Sequence, residues 1–200
     1  MKRLITLFSL IVCLAISTQV GAQSITNYTF TPSSGSFTAL SGGTTMALSG
    51  GTVDDGWFNG IPIGFSFVYM GIPYNTVSAT TNGIISFGGN LTTSYAANGL
   101  ASNGVRPIVA PLWDDLDLQV NTNFSYQTSG TTPNQVFTAE WLNVQWNYYA
   151  TGNTISFQVK LYEATGAVEF VYRDEGGTVN SGSASIGITA IATGSGNYLS

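Results

Sequence analysis

Asp114, Asp115 and Asp117 are the densest group of ionisable side chains in this 200-residue chain. They close the apolar run IVAPLWDDLD, Ile108 to Asp117, and Asn121 and Asn123 follow shortly after. Carboxylates and amides in that order can do three things. They can work as an acid–base pair, hold calcium, or accept backbone hydrogen bonds where a strand ends, with Arg106 as an ion partner. In an extended strand Asp115 and Asp117 share a face while Asp114 points away, and a rise near 3.3 Å per residue sets the Cα atoms of the pair about 7 Å apart. A retaining glycosidase holds its two carboxyl groups about 5 to 5.5 Å apart, so the spacing alone does not exclude one. Such pairs ordinarily face each other from different strands, however. Calcium takes six to eight oxygen ligands. Asp114, Asp115, Asp117, Asn121 and Asn123 can supply them with backbone carbonyls, joined by Asp54 and Asp55, although no DxDxDG loop is present. An unpaired buried carboxylate is very costly, so each aspartate must face water, be hydrogen-bonded or hold a cation.

A second constellation is aromatic. Trp146, Tyr148 and Tyr149 sit at a turn, where exposed rings can stack on sugar C–H faces while their polar tips hydrogen-bond. Trp141 shares a strand face with Phe137 and is expected in the core.

Composition removes most other chemistries. The chain has no histidine, and its single cysteine, Cys13, lies in the N-terminal apolar stretch. His-dependent triads, thiol catalysis and His/Cys zinc sites are therefore excluded downstream of it, and no phosphate loop of P-loop spacing occurs. Residues 1–22 read as a cleaved signal peptide: a basic start at Lys2-Arg3, an apolar core from Leu4 to Ile16, and small residues before Gln23. The apolar core is too short to span a bilayer. From Gln23 onward three basic residues, Arg106, Lys160 and Arg173, stand against ten acidic ones, a net charge of −7. That balance speaks against nucleic acid and against anionic membranes. The mature chain is thus expected outside the cell, secreted or on its surface, without disulfides.

These side chains need a frame, and the frame reads as strands. Ile61, Ile63, Phe65, Phe67 and Tyr69 alternate with Pro62, Gly64, Ser66 and Val68, a period of two that predicts a half-buried strand. Asn82-Gly83 marks a two-residue turn before Ile84–Phe87. In the central run Ile108, Ala110 and Leu112 are expected on one face and Val109 and Trp113 on the other, with a bulge or free edge at Pro111. Ile155, Phe157, Val159 and Leu161 should point inward and Ser156, Gln158 and Lys160 outward, followed by Val168, Phe170 and Tyr172 on the buried face. Shorter strands are predicted at Ile25–Phe30, Phe37–Leu40, Thr45–Leu48, Asn123–Thr128 and Ala184–Ala190. Asn90–Gly104 reads as a surface loop. No helical period of ten or more residues follows the leader. The fold class is therefore all-β, a single antiparallel β-sandwich of jelly-roll-like form over residues 23–200. Tyr198-Leu199 reads as the start of a strand, as in a chain cut short at its C-terminus.

The segments IPIGFSFVYMGIPYNTVSATTNGIISFG, IVAPLWDDLD, FTAEWLNVQW and NTISFQVKLYEATGAVEFVY resemble the extracellular nidogen-type (NIDO) module. They are most similar to N-terminal modules of large secreted proteins of Bacteroidota. The motifs span roughly Gly42 to Gly187. The resemblance implies a non-catalytic module for adhesion or for contact with an extracellular protein or glycan, part of a larger exported protein. The alternative is a carbohydrate-active enzyme, or its accessory binding domain, using the Asp114–Asp117 region.

Overall fold

The computed structural model describes residues 24–200 apart from Asn103. The expected signal peptide, residues 1–22, lies outside the described residues. Among the described residues twelve strands form two antiparallel sheets packed face to face. The first sheet holds β1 (Gly50–Gly51), β2 (Gly56–Tyr69), β3 (Ile72–Thr80), β4 (Ile85–Ser86), β5 (Ile108–Trp113), β11 (Ser185–Thr189) and β12 (Tyr198–Leu199), in that spatial order. The second holds β10 (Val168–Asp174), β9 (Ile155–Tyr162) and β8 (Val136–Trp146), and the free side of β8 is shared by β6 (Leu116–Asp117) and β7 (Phe124–Ser129). The chain runs through each sheet as a meander. It crosses over once between β5 and β6 and returns between β10 and β11. This is the all-β antiparallel sandwich expected, and most strands pair with their immediate sequence neighbours.

The alternation in β2 is realised. Ile61, Ile63, Phe65, Phe67 and Tyr69 are buried, and Pro62, Gly64, Ser66 and Val68 are exposed. Opposite them Phe137, Ala139 and Trp141 of β8 and Phe157, Val159 and Leu161 of β9 close the same core. Trp141 is the largest fully buried side chain, stacked on Phe157 with ring centroids 4.9 Å apart and donating its indole N–H to the Thr80 carbonyl at 2.9 Å. Phe170 is only half-buried at the rim, not inside, because β10 is an edge strand.

Pro111 does produce a bulge. Ser185 pairs with Trp113 and Gly187 with Ala110, so β5 carries one residue more than β11 over that interval. The extra residue corrects the expected faces. Val109 and Leu112 join the main core, while Ile108, Ala110 and Trp113 turn to a second apolar cluster with Ile84 and Leu100. That second cluster is roofed by residues 90–104, which are not merely a surface loop: Leu91 and Leu100 are buried, and the Trp113 indole donates to the Tyr95 carbonyl at 2.6 Å.

The N-terminal part departs further from expectation. Ile25–Asn27 forms a 3-10 turn, and neither Phe37–Leu40 nor Thr45–Leu48 joins a ladder. Residues 37–44 lie against the second sheet instead. Leu40 N–H donates to Glu140 Oε2 at 3.0 Å, Gln158 Nε2 donates to the Thr38 carbonyl at 2.8 Å, and Thr44 bridges to Tyr126. Gln158, expected to face water, is consequently buried, and Ser156 is buried as well, donating to Glu175 and accepting the Asn143 N–H. Their polar groups are satisfied, as burial requires.

Candidate functional site

The acidic cluster lies where the chain passes from the first sheet to the second. β5 ends at Trp113 and β6 begins at Leu116, so Asp114 and Asp115 form the link between sheets. They are not part of one extended strand, and the face pattern expected for Asp114, Asp115 and Asp117 does not apply. A turn on the neighbouring hairpin fixes the corner. Gly83 has φ +79°, and a Cβ there would lie 2.0 Å from the Leu112 carbonyl oxygen, so only glycine fits. Beside it Asn82 is fully buried. Its Nδ2 donates to Asp55 Oδ1 at 3.0 Å and its Oδ1 accepts the Leu116 N–H at 2.7 Å. Ser94 also donates to Asp55 Oδ1, at 2.8 Å.

Asp114 is 5% exposed, and the protein surrounds it with donors. Its Oδ1 accepts from Asn98 Nδ2 at 3.1 Å, the Asp115 N–H at 3.0 Å and the Ser183 hydroxyl at 3.0 Å. Its Oδ2 accepts from the Trp146 indole at 2.7 Å and the Ser183 N–H at 2.5 Å. One carboxylate thus joins β5, β8, the 90–104 loop and the loop before β11. Burial alone pushes this carboxyl up. The hydrogen bonds from Trp146, the Ser183 and Asp115 backbones and the Ser183 hydroxyl outweigh it, and the group ends below the usual carboxylate range. A carboxylate so held is a poor proton donor, and its lone pairs face protein donors.

The other sequence candidates are scattered around this hub. Asp117 Oδ1 accepts the Gln119 N–H at 2.6 Å, Asn121 Nδ2 donates to the Met46 carbonyl at 2.7 Å, and Asn123 Nδ2 donates to the Leu118 carbonyl at 2.8 Å. Among the described residues no three carboxylates converge on one point. Among the described residues Arg106 pairs with no carboxylate. It donates to the Leu100 and Ser102 carbonyls and pins the 90–104 loop. Lys160 of β9 pairs with Glu169 of β10, and Arg173 of β10 pairs with Glu175 just beyond it.

The aspartates left without counterions repel one another. Burial, then Asp55, Asp117 and Asp115 in turn, push the Asp54 carboxyl up to about 6. Burial, Asp55 and Asp114 push Asp115 up as well. A carboxyl whose folded value lies above its unfolded value near 3.8 stabilises the fold fully below pH 3.8, and that contribution is lost as pH rises through about 6. Asp114 has the opposite sign, contributing above pH 3.8 and losing as pH falls further. Thermal melts should therefore show a higher midpoint at pH 5 than at pH 7, and Asp54→Asn should shrink the difference by raising the pH 7 midpoint. A parent midpoint that is unchanged or lower at pH 5, with Asp54→Asn behaving alike, would show that this repulsion has no energetic weight.

Beside the hub is an open cleft of about 420 Å³ lined by Ala96, Ala97, Asn98, Asp114, Asp115, Asn147, Ser181 and Ser183. Its wall residue Asn147, at φ +74°, turns the chain directly into Tyr148 and Tyr149. Of the three aromatic candidates Trp146 is excluded as a free platform, since it is half-buried and its N–H is held by Asp114. Tyr148 and Tyr149 are 47% and 67% exposed, with ring centroids 3.8 Å apart. The neighbouring Tyr149 phenol, then desolvation, Asp115 and Asp54, push the Tyr148 phenol up to about 12. Asn82, Asn98 and Ser183 escaped the sequence reading. Asn82 was visible as a turn residue, but nothing marks it as a bridge between loops, and Ser183 meets Asp114 only through a fold that brings together positions 69 residues apart.

The geometry defines an all-β sandwich with a hydrogen-bonded acidic hub and an aromatic-edged cleft at one end. Residues 27–200 match the family described as NIDO related, and the chain belongs to that family. No curated protein and no solved structure matches it.

Proposed function

We propose that this is a non-catalytic, secreted or cell-surface module that makes contact with an extracellular glycan or protein, and that it adheres through the cleft end of the sandwich. The observation that carries the reading is the exposed Tyr148–Tyr149 pair beside the cleft. Two large rings left open to water on a sheet end are the kind of surface that stacks on sugar faces or packs against a partner. Asp114 supports the non-catalytic part, because both its oxygens are occupied by protein donors. Family membership is compatible with extracellular contact, and the motif likeness to N-terminal modules of large secreted Bacteroidota proteins supports export and a place in a larger protein. The test is co-sedimentation with insoluble polysaccharides and binding to immobilised matrix proteins, with release of reducing ends followed in parallel. Retention without release is expected. Release of reducing ends above a buffer control would replace this reading with a carbohydrate-active enzyme.

Calcium is a second proposed ligand of this end, favoured by one observation. Asp54 Oδ1 and Asn121 Oδ1 are buried without a hydrogen-bond partner among the described residues, and an unsatisfied buried acceptor is costly. A cation that binds only the native state adds RT ln(1 + [L]/Kd), about 2.7 kcal/mol at a hundredfold excess over Kd. Millimolar calcium should then raise the melting temperature relative to chelator, and Asp54→Asn should reduce the rise. Superimposed parent curves would leave the cluster a solvated, hydrogen-bonded strand end.

A further inference from the structure

The cleft has an uneven supply of donors and acceptors. Asn98 Nδ2 donates to Asp114 and Ser183, and Asn98 Oδ1 accepts from Ser185. The Ser183 hydroxyl and N–H both point at Asp114. The Ser181 hydroxyl donates to Asn180, and Asn147 Oδ1 accepts the Tyr149 N–H. The side-chain donors of these wall residues are thus already paired within the protein. Asp115 is different. Its side chain accepts only one long contact, from Asn147 Nδ2 at 3.5 Å, which is at the outer limit of a hydrogen bond. It is partly exposed in the cleft, and the described basic side chains are engaged elsewhere. What the cleft offers a visitor is therefore one under-used anionic acceptor beside two open phenol rings.

That offer selects the visitor's chemistry. A neutral sugar hydroxyl gains one hydrogen bond at Asp115. An ammonium brings three donors and a full positive charge, and it is attracted both by the carboxylate and by the faces of nearby aromatic rings. A lysine side chain is thin and flexible and is best held by a narrow slot, whereas this cleft is broad and open, and its wall residue Asn147 leads directly into the exposed Tyr148 and Tyr149. A flat, rigid ring that carries the amine fits better. We infer that the cleft binds an amino sugar bearing a free ammonium, a de-N-acetylated hexosamine unit of a polysaccharide, with its amine on Asp115 and its ring against Tyr148–Tyr149. The inference rests on the glycan-contact reading above and narrows it to a cationic saccharide.

The experiment is titration calorimetry of the exported protein with a glucosamine tetrasaccharide, the N-acetylglucosamine tetrasaccharide and a tetralysine peptide. Each is run on the parent, Asp115→Asn and Tyr149→Ala, with a thermal melt of each variant. The glucosamine tetramer should bind at least tenfold more tightly than its acetylated form. Asp115→Asn should erase that preference, and Tyr149→Ala should weaken binding of both. Should Asp115→Asn fail to fold, the free-against-acetylated comparison on the parent decides. Equal affinity for the two tetramers overturns this inference and leaves glycan contact standing. Binding of tetralysine alone overturns it in favour of a protein partner. No binding of any probe overturns it too, and the glycan-contact reading falls with it only if the polysaccharide panel is also negative.

Discussion

Asp114→Ala is expected to cost at least about 3 kcal/mol, which for a domain of this size is a fall in melting temperature of roughly 6 to 12 °C. The carboxylate is 5% exposed and accepts bonds from Trp146, Ser183, Asn98 and the Asp115 backbone. Truncation leaves the Trp146 indole and two backbone N–H groups without their acceptor, and each unsatisfied buried donor costs about 1 to 3 kcal/mol. The loss falls on both sheets at once, because Trp146 belongs to β8 and Ser183 leads into β11. Asp114→Asn should recover part of it, since an amide oxygen still accepts on one side while its NH₂ meets donors on the other. The check is chemical denaturation of both variants. An Asp114→Ala midpoint within experimental error of the parent would show that the hub is not a structural junction.

Phe157→Ala should be comparably severe, about 3 to 5 kcal/mol. The ring is fully buried on β9, stacked 4.9 Å from Trp141, with Ala139, Val159 and Phe137 in the same core. Neighbouring large aromatics cannot collapse into the space, so the cavity stays open. Since a domain's net stability is only about 5 to 15 kcal/mol, the variant should sit close to its unfolding threshold at room temperature. Phe170→Ala at the rim of β10 is the internal comparison and should cost clearly less, because that ring is already half-exposed. Equal losses for the two would mean that the inward face of the second sheet is misassigned.

Much of the fold was legible because period-two patterns report burial directly. The alternation of β2 and the apolar side of β9 could be read off, and Pro111 announced its bulge through its missing N–H. What the bulge does next was not legible. One inserted residue moves Leu112 and Trp113 to opposite faces from those a continuous strand gives them, and sequence does not say on which residue the extra step falls. The outer face of the second sheet was misread for a related reason. Ser156 and Gln158 look like solvent-facing residues, but Gln158 is covered by residues 37–44, which have no regular structure and so no period to detect, and Ser156 by its bonds to Asn143 and Glu175.

The candidate site shows the same limit. Asp114, Asp115, Tyr148 and Tyr149 stood out by type, and the structure lines one cleft with both aspartates and with Asn147, the residue before the exposed tyrosines. Their division of labour did not stand out. Whether an aspartate is a junction or an open acceptor depends on donors from Asn98, Trp146 and Ser183, which lie 16, 32 and 69 residues away. Trp146 and the tyrosines looked equivalent in sequence, and only the fold separates an indole bound to Asp114 from two rings left in water.

The central claim is that contact is made through the rim that Tyr148 and Tyr149 form. The most direct measurement compares surface retention of the parent with that of a Tyr148→Ala/Tyr149→Ala double variant on whichever polysaccharide or matrix protein holds the parent. Val120→Ala, an exposed apolar site outside the cleft lining, serves as control. Both rings are exposed, so the double variant should melt close to the parent while its retention falls at least tenfold and the control stays unchanged. Undiminished retention by a folded double variant would contradict the account and move the contact face elsewhere on the sandwich.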